Sequence, residues 1–101
     1  MTRNGISLPQ AAIEKFCRKW GIIELALFGS ILREDFNASS DLDVLVTFQS
    51  GENWNLWDIV TMKEELESLA GRPVDFVEKK ALRNPFRRRE ILSQHEVIYA
   101  A

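Results

Sequence analysis

The sequence predicts an α/β domain in which helices pack on a small mixed β-sheet, in the element order αββαβαβ. Two observations support this fold class. Apolar runs of strand length recur near residues 22–28, 42–48 and 73–78, and helical segments with one apolar face alternate with them. Glycine and proline also mark the ends of those helical segments. At this length we expect residues 1–101 to form a single domain.

The first helix and the first two strands are predicted in the N-terminal half. The helix is expected to start at Ser7, because Gln10 three residues later would complete a capping box, and to end at Gly21. Strands are expected near residues 22–28 and 42–48, which are mostly apolar. The apolar stripe of the helix consists of Ile13, Phe16, Cys17 and Trp20.

A second, longer helix is predicted to begin around Asn55 and to close at Gly71, with Pro73 beyond it as a stop. Trp54 and Ile59 have the spacing of a hydrophobic staple at the start of this helix. Such a staple would fix the direction from which the chain enters the helix. The predicted buried face consists of Ile59, Met62, Leu66 and Leu69.

A third strand, a third helix and a last strand complete the predicted order. The strand covers roughly residues 73–78. Asn84 caps the helix, Pro85 takes the first helical position that suits proline, and the helix runs to about Gln94. The last short strand comprises residues 96–100.

A glycine and a serine follow the first predicted strand. Gly29 permits a positive φ and the close approach of a ligand. Ser30 opens the segment 31–33, and amides at the start of a helical turn there would favour an anion. The serine hydroxyl and the guanidinium of Arg33 would add donors that suit phosphate. Taken alone, the pair is explained as well by a glycine that ends a strand and a serine that caps a helix.

Two aspartates open the second predicted strand. Asp41 and Asp43 are two residues apart, so their side chains share a face and lie about 6–7 Å apart along the chain. A hard cation such as Mg²⁺ would remove the cost of placing two like charges at the mouth of an apolar strand. The alternative is an Asp-rich loop in which Ser40 and Asp41 merely favour a turn. The opposite face, which a core would bury, carries Leu42, Val44 and Val46.

The spacing of these two features resembles a known family. Gly29-Ser30, ten intervening residues and then Asp-x-Asp at residues 41–43 match the signature of the polymerase-β-like nucleotidyltransferase superfamily. Arg33 and Ser40 are also similar to that pattern. In size and layout the chain is most similar to the minimal nucleotidyltransferase (MNT) group, which includes MntA-like antitoxins paired with HEPN toxins. The resemblance implies a nucleotidyltransferase-like fold.

The superfamily pattern calls for a third carboxylate on a later strand, and Asp75 is the candidate. An unpaired acid inside a short apolar run would be expensive to bury. Val74 and Phe76 would face one side of the strand and Asp75 the other. Read alone, Asp75 is explained equally well by a salt bridge to Arg72 or Lys79. Beside the first two aspartates, a metal-binding or general-base role is favoured.

The resemblance implies a Mg²⁺-dependent enzyme that transfers AMP from ATP to a hydroxyl. Asp41 and Asp43 would hold two Mg²⁺ ions, and Asp75 would hold the ion next to the acceptor hydroxyl and help to remove its proton. Residue types alone do not separate this reaction from γ-phosphoryl transfer. The residues expected to bind the nucleotide are Gly29, Ser30, Arg33 and Ser40.

The small size of the chain suggests that a partner supplies much of the acceptor site. The resemblance provides a candidate, a HEPN-type toxin whose tyrosine would receive AMP, so that the enzyme would act as its antitoxin. One alternative is a binding-only antitoxin that masks its partner through Trp57 and the arginines at 87–89. Another is a nucleotidyltransferase that acts on RNA or a small molecule. Solvation explains Arg87, Arg88 and Arg89 as well as contact with an acidic partner surface, nucleotide phosphate or RNA does.

Composition excludes several other classes of protein. A formal net charge of −2 disfavours nucleic acid as the main partner, and an apolar fraction of 46% is that of a folded globule. No apolar stretch approaches membrane-spanning length, and no apolar signal core stands at the start. The single cysteine, Cys17, suits a core position and a reducing cytoplasm.

Overall fold

The computed structural model describes residues 2–101, apart from the side chain of Arg3. Short 3₁₀ turns at Gly29–Leu32 and Lys79–Ala81 join the regular elements. The predicted α/β class is confirmed, with an additional two-stranded hairpin at the start. The elements follow the chain as β1 (Thr2–Arg3), β2 (Ile6–Ser7), α1 (Gln10–Trp20), β3 (Ile22–Phe28), β4 (Leu42–Phe48), α2 (Leu56–Ala70), β5 (Val74–Glu78), α3 (Pro85–Ser93) and β6 (His95–Ala100).

Four strands form the main sheet in the order β5-β4-β3-β6. Strand β3 pairs antiparallel with both β4 and β6, whereas β4 and β5 are parallel because α2 carries the chain back between them. The C-terminal end of β3 therefore lies beside the N-terminal ends of β4 and β5. The Gly29-Ser30 turn and the Asp-x-Asp segment at residues 41–43 therefore meet at that end of the sheet.

Side-chain caps set the starts of α2 and α3, and a glycine ends α2, where the sequence predicts them. The side chain of Asn55 accepts a hydrogen bond from the Asp58 amide (2.9 Å), and the Asp58 carboxylate accepts one from the Asn55 amide (3.0 Å). This capping box satisfies donors that the first turn of a helix leaves free. Gly71 closes α2 with a φ of 70°. At α3, the Asn84 side chain accepts from the amides of residues 86 and 87.

The predicted start of the first helix at Ser7 is wrong. Helix α1 begins at Gln10, after Pro9, and Ser7 instead belongs to β2. The two-residue turn Asn4-Gly5, with φ values of 49° and 82°, closes the β1–β2 hairpin. Asn-Gly is a favoured sequence for such a turn because both residues tolerate positive φ. Ser7 pairs within the hairpin and therefore does not act as the cap of the helix.

Apolar side chains fill both faces of the sheet. The larger core lies under α1 and α2, and the predicted stripe of α1 is buried in it. In α2, Met62 and Leu66 are buried, while Ile59 and Leu69 pack on the core but are partly exposed. A smaller core lies under α3 and comprises Ala26, Phe28, Leu45, Leu82 and Ile91.

The three tryptophans have different surroundings. The Trp54 indole nitrogen donates to the backbone carbonyl of Trp20 (3.0 Å), and the two rings meet edge to face with centroids 5.2 Å apart. Trp57 lies on the outer face of α2 and is 76% exposed. It therefore contributes little to the core. No helix within residues 2–101 has both the length and the apolarity to cross a membrane.

Candidate active site

Strand pairing places Asp43 and Asp75 side by side at one end of the sheet. Asp43 lies opposite Phe28 on β3 and opposite Asp75 on β5. Directly paired residues share a face, so both carboxylates lie on the face that α3 covers. The Leu42 amide donates to the Pro73 carbonyl (3.0 Å), which holds this register just outside the strand. Two positions 32 residues apart in sequence thus become neighbours.

The turn after β3 wraps closely around the Asp43 carboxylate. Gly29 has a φ of +73°, and a Cβ atom built there would lie 2.1 Å from Oδ2 of Asp43. The backbone amide of Ser30 donates a hydrogen bond to the Asp43 carboxylate. One of the amides expected to bind phosphate therefore orients an aspartate instead. Glycine is required at position 29 both for the backbone angle and for space.

Burial raises the pKa of Asp43 above its usual 3.8. The negative charges of Asp75 and, to a lesser extent, Asp41 raise this pKa further, while the Ser30 amide and the Arg33 guanidinium oppose the shift. The ionised carboxylate is thus held where its charge is unfavourable. A cation bound beside it would relieve both the burial cost and the repulsion.

The carboxylates fit a Mg²⁺ site by their chemistry. Within residues 2–101, no three His, Cys, Asp or Glu side chains are already gathered closely enough to hold a metal ion. Asp41 and Asp75 are exposed and Asp43 is half-buried. Their oxygens are the ligands that a hard cation takes, and Mg²⁺ commonly completes its shell with phosphate and water. The repulsion recorded at Asp43 is what such an ion would neutralise.

Arg72 fastens the loop that leads from the turn to Asp41. Its Nη1 donates to the carbonyls of Asn37 (3.1 Å) and Ser40 (2.9 Å), and its guanidinium lies 4.6 Å from the centroid of the Phe36 ring. The salt bridge to Asp75 considered from the sequence is not formed among the described residues. The Ser40 hydroxyl accepts from the Asn37 amide (3.1 Å), so this side chain stabilises the loop itself.

The N-terminal hairpin supports the same turn from another side. The Asn4 side-chain amide donates to the carbonyl of Ile31 and, over 3.4 Å, to that of Arg33. The 3₁₀ turn therefore rests on a residue far away in sequence. This contact was not predicted, although the Asn-Gly pair could have indicated the hairpin that makes it possible.

A cavity of about 250 Å³ lies between the turn and α3. Of the predicted site residues, Gly29, Arg33 and Asp43 line it, whereas Ser30, Ser40, Asp41 and Asp75 do not. The sequence analysis considered the arginines at 87–89 as contacts for an anion, but it did not identify Glu90, Ile91 and Gln94 as residues of the site. The spacing of those residues is that of one helix face, but polar side chains interrupt the apolar pattern that would have revealed it. The α3 residues that line the cavity are Arg87, Glu90, Ile91 and Gln94.

Comparison with known proteins identifies the class. The profile of the family described as "Nucleotidyltransferase domain" matches residues 10–98, and the chain belongs to this family. Protein adenylyltransferase MntA of Thermococcus cleftensis is 33% identical over 78 residues, which are 77% of each chain. The family resemblance seen in the sequence is thereby confirmed.

Solved structures agree with this assignment. A candidate minimal nucleotidyltransferase is 34% identical, with a TM-score of 0.68 over 85% of each chain. A chain in the complex of tri-AMPylated Shewanella oneidensis HEPN toxin with MNT antitoxin has a TM-score of 0.64. That match covers 91% of this chain and 70% of the other, and at 18% identity it shows the shared fold alone.

Proposed function

We propose that this chain transfers AMP from ATP to a hydroxyl of a HEPN-type toxin and thereby acts as its antitoxin. The observation that carries the proposal is the position of Asp43, which the Gly29-Ser30 turn encloses on one side and Asp75 flanks on the other. A charge held in that way suits a site for a cation and a triphosphate. The T. cleftensis relative is named a protein adenylyltransferase, which supports AMP as the transferred group. The AMPylated toxin in the S. oneidensis complex supports a HEPN-type toxin as the acceptor.

The reaction is a displacement at the α-phosphorus of ATP. The acceptor hydroxyl oxygen forms a bond to the α-phosphorus. The bond from that phosphorus to the oxygen that bridges the α- and β-phosphorus atoms breaks. Pyrophosphate leaves with the electron pair of that bond. The proton of the hydroxyl passes to the carboxylate of Asp75, which is exposed and so can reach an acceptor on another molecule.

The other residues of the site hold the reactants rather than react. Mg²⁺ bound by Asp41, Asp43 and Asp75 would supply charge neutralisation for the triphosphate. The Ser30 amide keeps the Asp43 carboxylate in place, and Arg33 at the end of the turn faces the cavity. Because these groups are positioned before substrate arrives, little reorganisation is needed in the transition state.

The decisive experiment measures the mass of the partner. The chain and its cognate HEPN-type toxin are incubated with Mg²⁺ and ATP, and intact mass spectrometry follows addition of AMP to the toxin. We expect labelling with the native chain and none with Asp43→Asn or Asp41→Asn. Glu64→Gln, which removes an exposed charge on α2, is the matched control and should label normally.

The same experiment separates catalysis from masking. Undiminished labelling by the folded Asp43→Asn protein would reject the proposed role of this carboxylate. If a doubly substituted Asp41→Asn, Asp43→Asn protein still neutralises the toxin without labelling it, the chain acts by binding alone. Labelling of RNA or a small molecule in the absence of any partner protein would reject the toxin as acceptor.

A further inference from the structure

The three consecutive arginines of α3 have three different environments. Arg87 lines the cavity together with Gly29, Arg33 and Asp43. Arg88 is half-buried, and its Nη1 donates to the Lys79 carbonyl (3.1 Å), so it ties α3 to the turn that follows β5. Arg89 is exposed and does not line the cavity. The three arginines are identical in sequence, but the fold gives each of them different contacts.

The Arg87 side chain is exposed, and no local contact among the described residues fixes its guanidinium. Within the part of the chain that the structure describes, its guanidinium has no ion pair and no hydrogen bond. It is the third residue of α3, close to the helix N-terminus, where a positive charge opposes the helix dipole. An anion bound in the cavity would pair with this guanidinium and offset its unfavourable interaction with the helix dipole.

Arg33 and Arg87 approach the cavity from different elements. Arg33 comes from the end of the 3₁₀ turn and Arg87 from α3, and Asp43 also lines the cavity. Guanidinium groups bind phosphate oxygens in a forked arrangement, and two of them suit a group with several negative oxygens. The aspartates suit the cation-bound part of a nucleotide, which leaves the arginines for its other phosphates.

We infer that Arg87 binds the β- and γ-phosphates of the nucleotide from the α3 side, opposite Arg33. This inference rests on the proposed nucleotidyl transfer. The β- and γ-phosphates are the part that departs as pyrophosphate, and charge builds up on it as the bond to the α-phosphorus breaks. Arg87 therefore contributes to binding of ATP and to release of the leaving group, whereas Arg88 positions the helix that carries it.

The test compares two charge-removing variants that lie two residues apart. Titration calorimetry with Mg²⁺ measures the affinity of native, Arg87→Gln and Arg89→Gln proteins for pyrophosphate, ATP and AMP. Arg87→Gln should weaken pyrophosphate and ATP about tenfold, the order expected for one hydrogen bond to a charged group. Its affinity for AMP should change by less than about twofold. Arg89→Gln, with the same change in net charge, should leave all three affinities nearly unchanged.

Several outcomes would overturn the inference. Equal losses in the two variants would indicate general electrostatic attraction, and an equal loss for AMP and ATP would place Arg87 elsewhere on the nucleotide. An unchanged pyrophosphate affinity in Arg87→Gln would exclude the contact. Circular dichroism and thermal unfolding verify that both variants are folded.

The binding test needs no acceptor, so its failure can be told from failure of the proposed function. If native protein binds pyrophosphate through Arg87 but labels no toxin, the acceptor assignment is wrong and this inference stands. If native protein labels the toxin but Arg87→Gln binds pyrophosphate normally, only this inference fails.

Discussion

The carboxylate of Asp43 occupies the space into which a side chain at Gly29 would extend. Asp43 on β4 pairs with Phe28, the last residue of β3, and Gly29 follows directly with the positive φ that glycine tolerates best. The Asp43 carboxylate is therefore enclosed by a residue with no side chain. Its orientation depends on the absence of a single methyl group.

Gly29→Ala should reduce both stability and activity. The left-handed backbone costs about 1–2 kcal/mol with any Cβ, and the new methyl group would also displace the Asp43 carboxylate. We expect labelling of the acceptor to fall at least about tenfold, because a misplacement of about 1 Å at a catalytic site can cost about a hundredfold in rate. Chemical denaturation and mass-spectrometric labelling measure the two effects.

Gly71→Ala is the matched control for this change. Its φ of +70° is nearly the same as that of Gly29, but a Cβ there meets nothing within 4 Å. It should therefore lose a similar amount of stability and keep its labelling rate. Equal activity in the two variants would show that the Asp43 contact does not matter for the reaction.

Asp43→Asn should stabilise the metal-free protein at neutral pH while abolishing transfer. The native pKa of Asp43 lies above its usual 3.8, so the folded state binds this proton more tightly than the unfolded state does. The free energy of unfolding therefore falls as the pH rises from the unfolded-state pKa of Asp43 to its raised folded-state pKa. At higher pH the whole loss persists. The asparagine avoids that cost, and its side-chain oxygen can still accept from Ser30.

The pH dependence identifies the cause of this effect. The gain in melting temperature of Asp43→Asn over native protein should shrink as the pH is lowered through the raised pKa, because the native carboxyl then becomes neutral as well. Added Mg²⁺ should stabilise native protein more than the variant. A variant that is less stable than native at every pH would contradict the unfavourable charge at this position.

Arg72→Lys should loosen the loop before Asp41. Lysine keeps the positive charge but lacks the planar guanidinium that lies over the Phe36 ring while its Nη1 donates to the carbonyls of Asn37 and Ser40. We expect a loss of about 1 kcal/mol in unfolding free energy and a slower labelling rate at saturating ATP. Arg83→Lys, at an exposed position, should change neither quantity. Identical behaviour of the two variants would exclude a positioning role for Arg72.

Cys17 should react with thiol reagents only when the whole protein unfolds. Its side chain is fully buried, and burial raises the pKa of the thiol to about 12. The thiolate that reacts is therefore scarce and shielded in the native state. The modification rate at increasing urea should follow global unfolding measured by circular dichroism. A rate well above that of unfolding would reveal a local opening of α1.

Sequence patterns were reliable where a local signal and the fold agree. The apolar runs at 22–28 and 42–48 coincide with β3 and β4, and Asn55 and Gly71 bound α2 as their capping chemistry indicates. At Ser7 two local signals compete, since a capping box and an Asn-Gly hairpin need the same residues. The hairpin prevails because it buries Ile6 against the core.

The candidate site was predictable only in part because half of it is assembled by long-range contacts. The Gly-Ser turn and the Asp-x-Asp pair lie close together in sequence, so their spacing could be compared with a family signature. Asp75 was proposed as a site residue through that resemblance. The cavity face of Arg87, Glu90 and Gln94 depends on how α3 packs, and nothing in its polar sequence encodes which side faces the turn. The contact of the Asn4 side chain with the 3₁₀ turn depends on the β1–β2 hairpin, which was not predicted from the sequence.

The parallel register of β4 and β5 restricts which changes in chain length this site can tolerate. A single residue inserted or deleted between Gly71 and Val74 would turn Asp75 to the opposite face of the sheet, and its apolar neighbours would take its place. Loops at the other end of the sheet, such as residues 49–53, carry no predicted site residue and are free of this constraint. Across relatives, we expect length variation to accumulate there and not before β5.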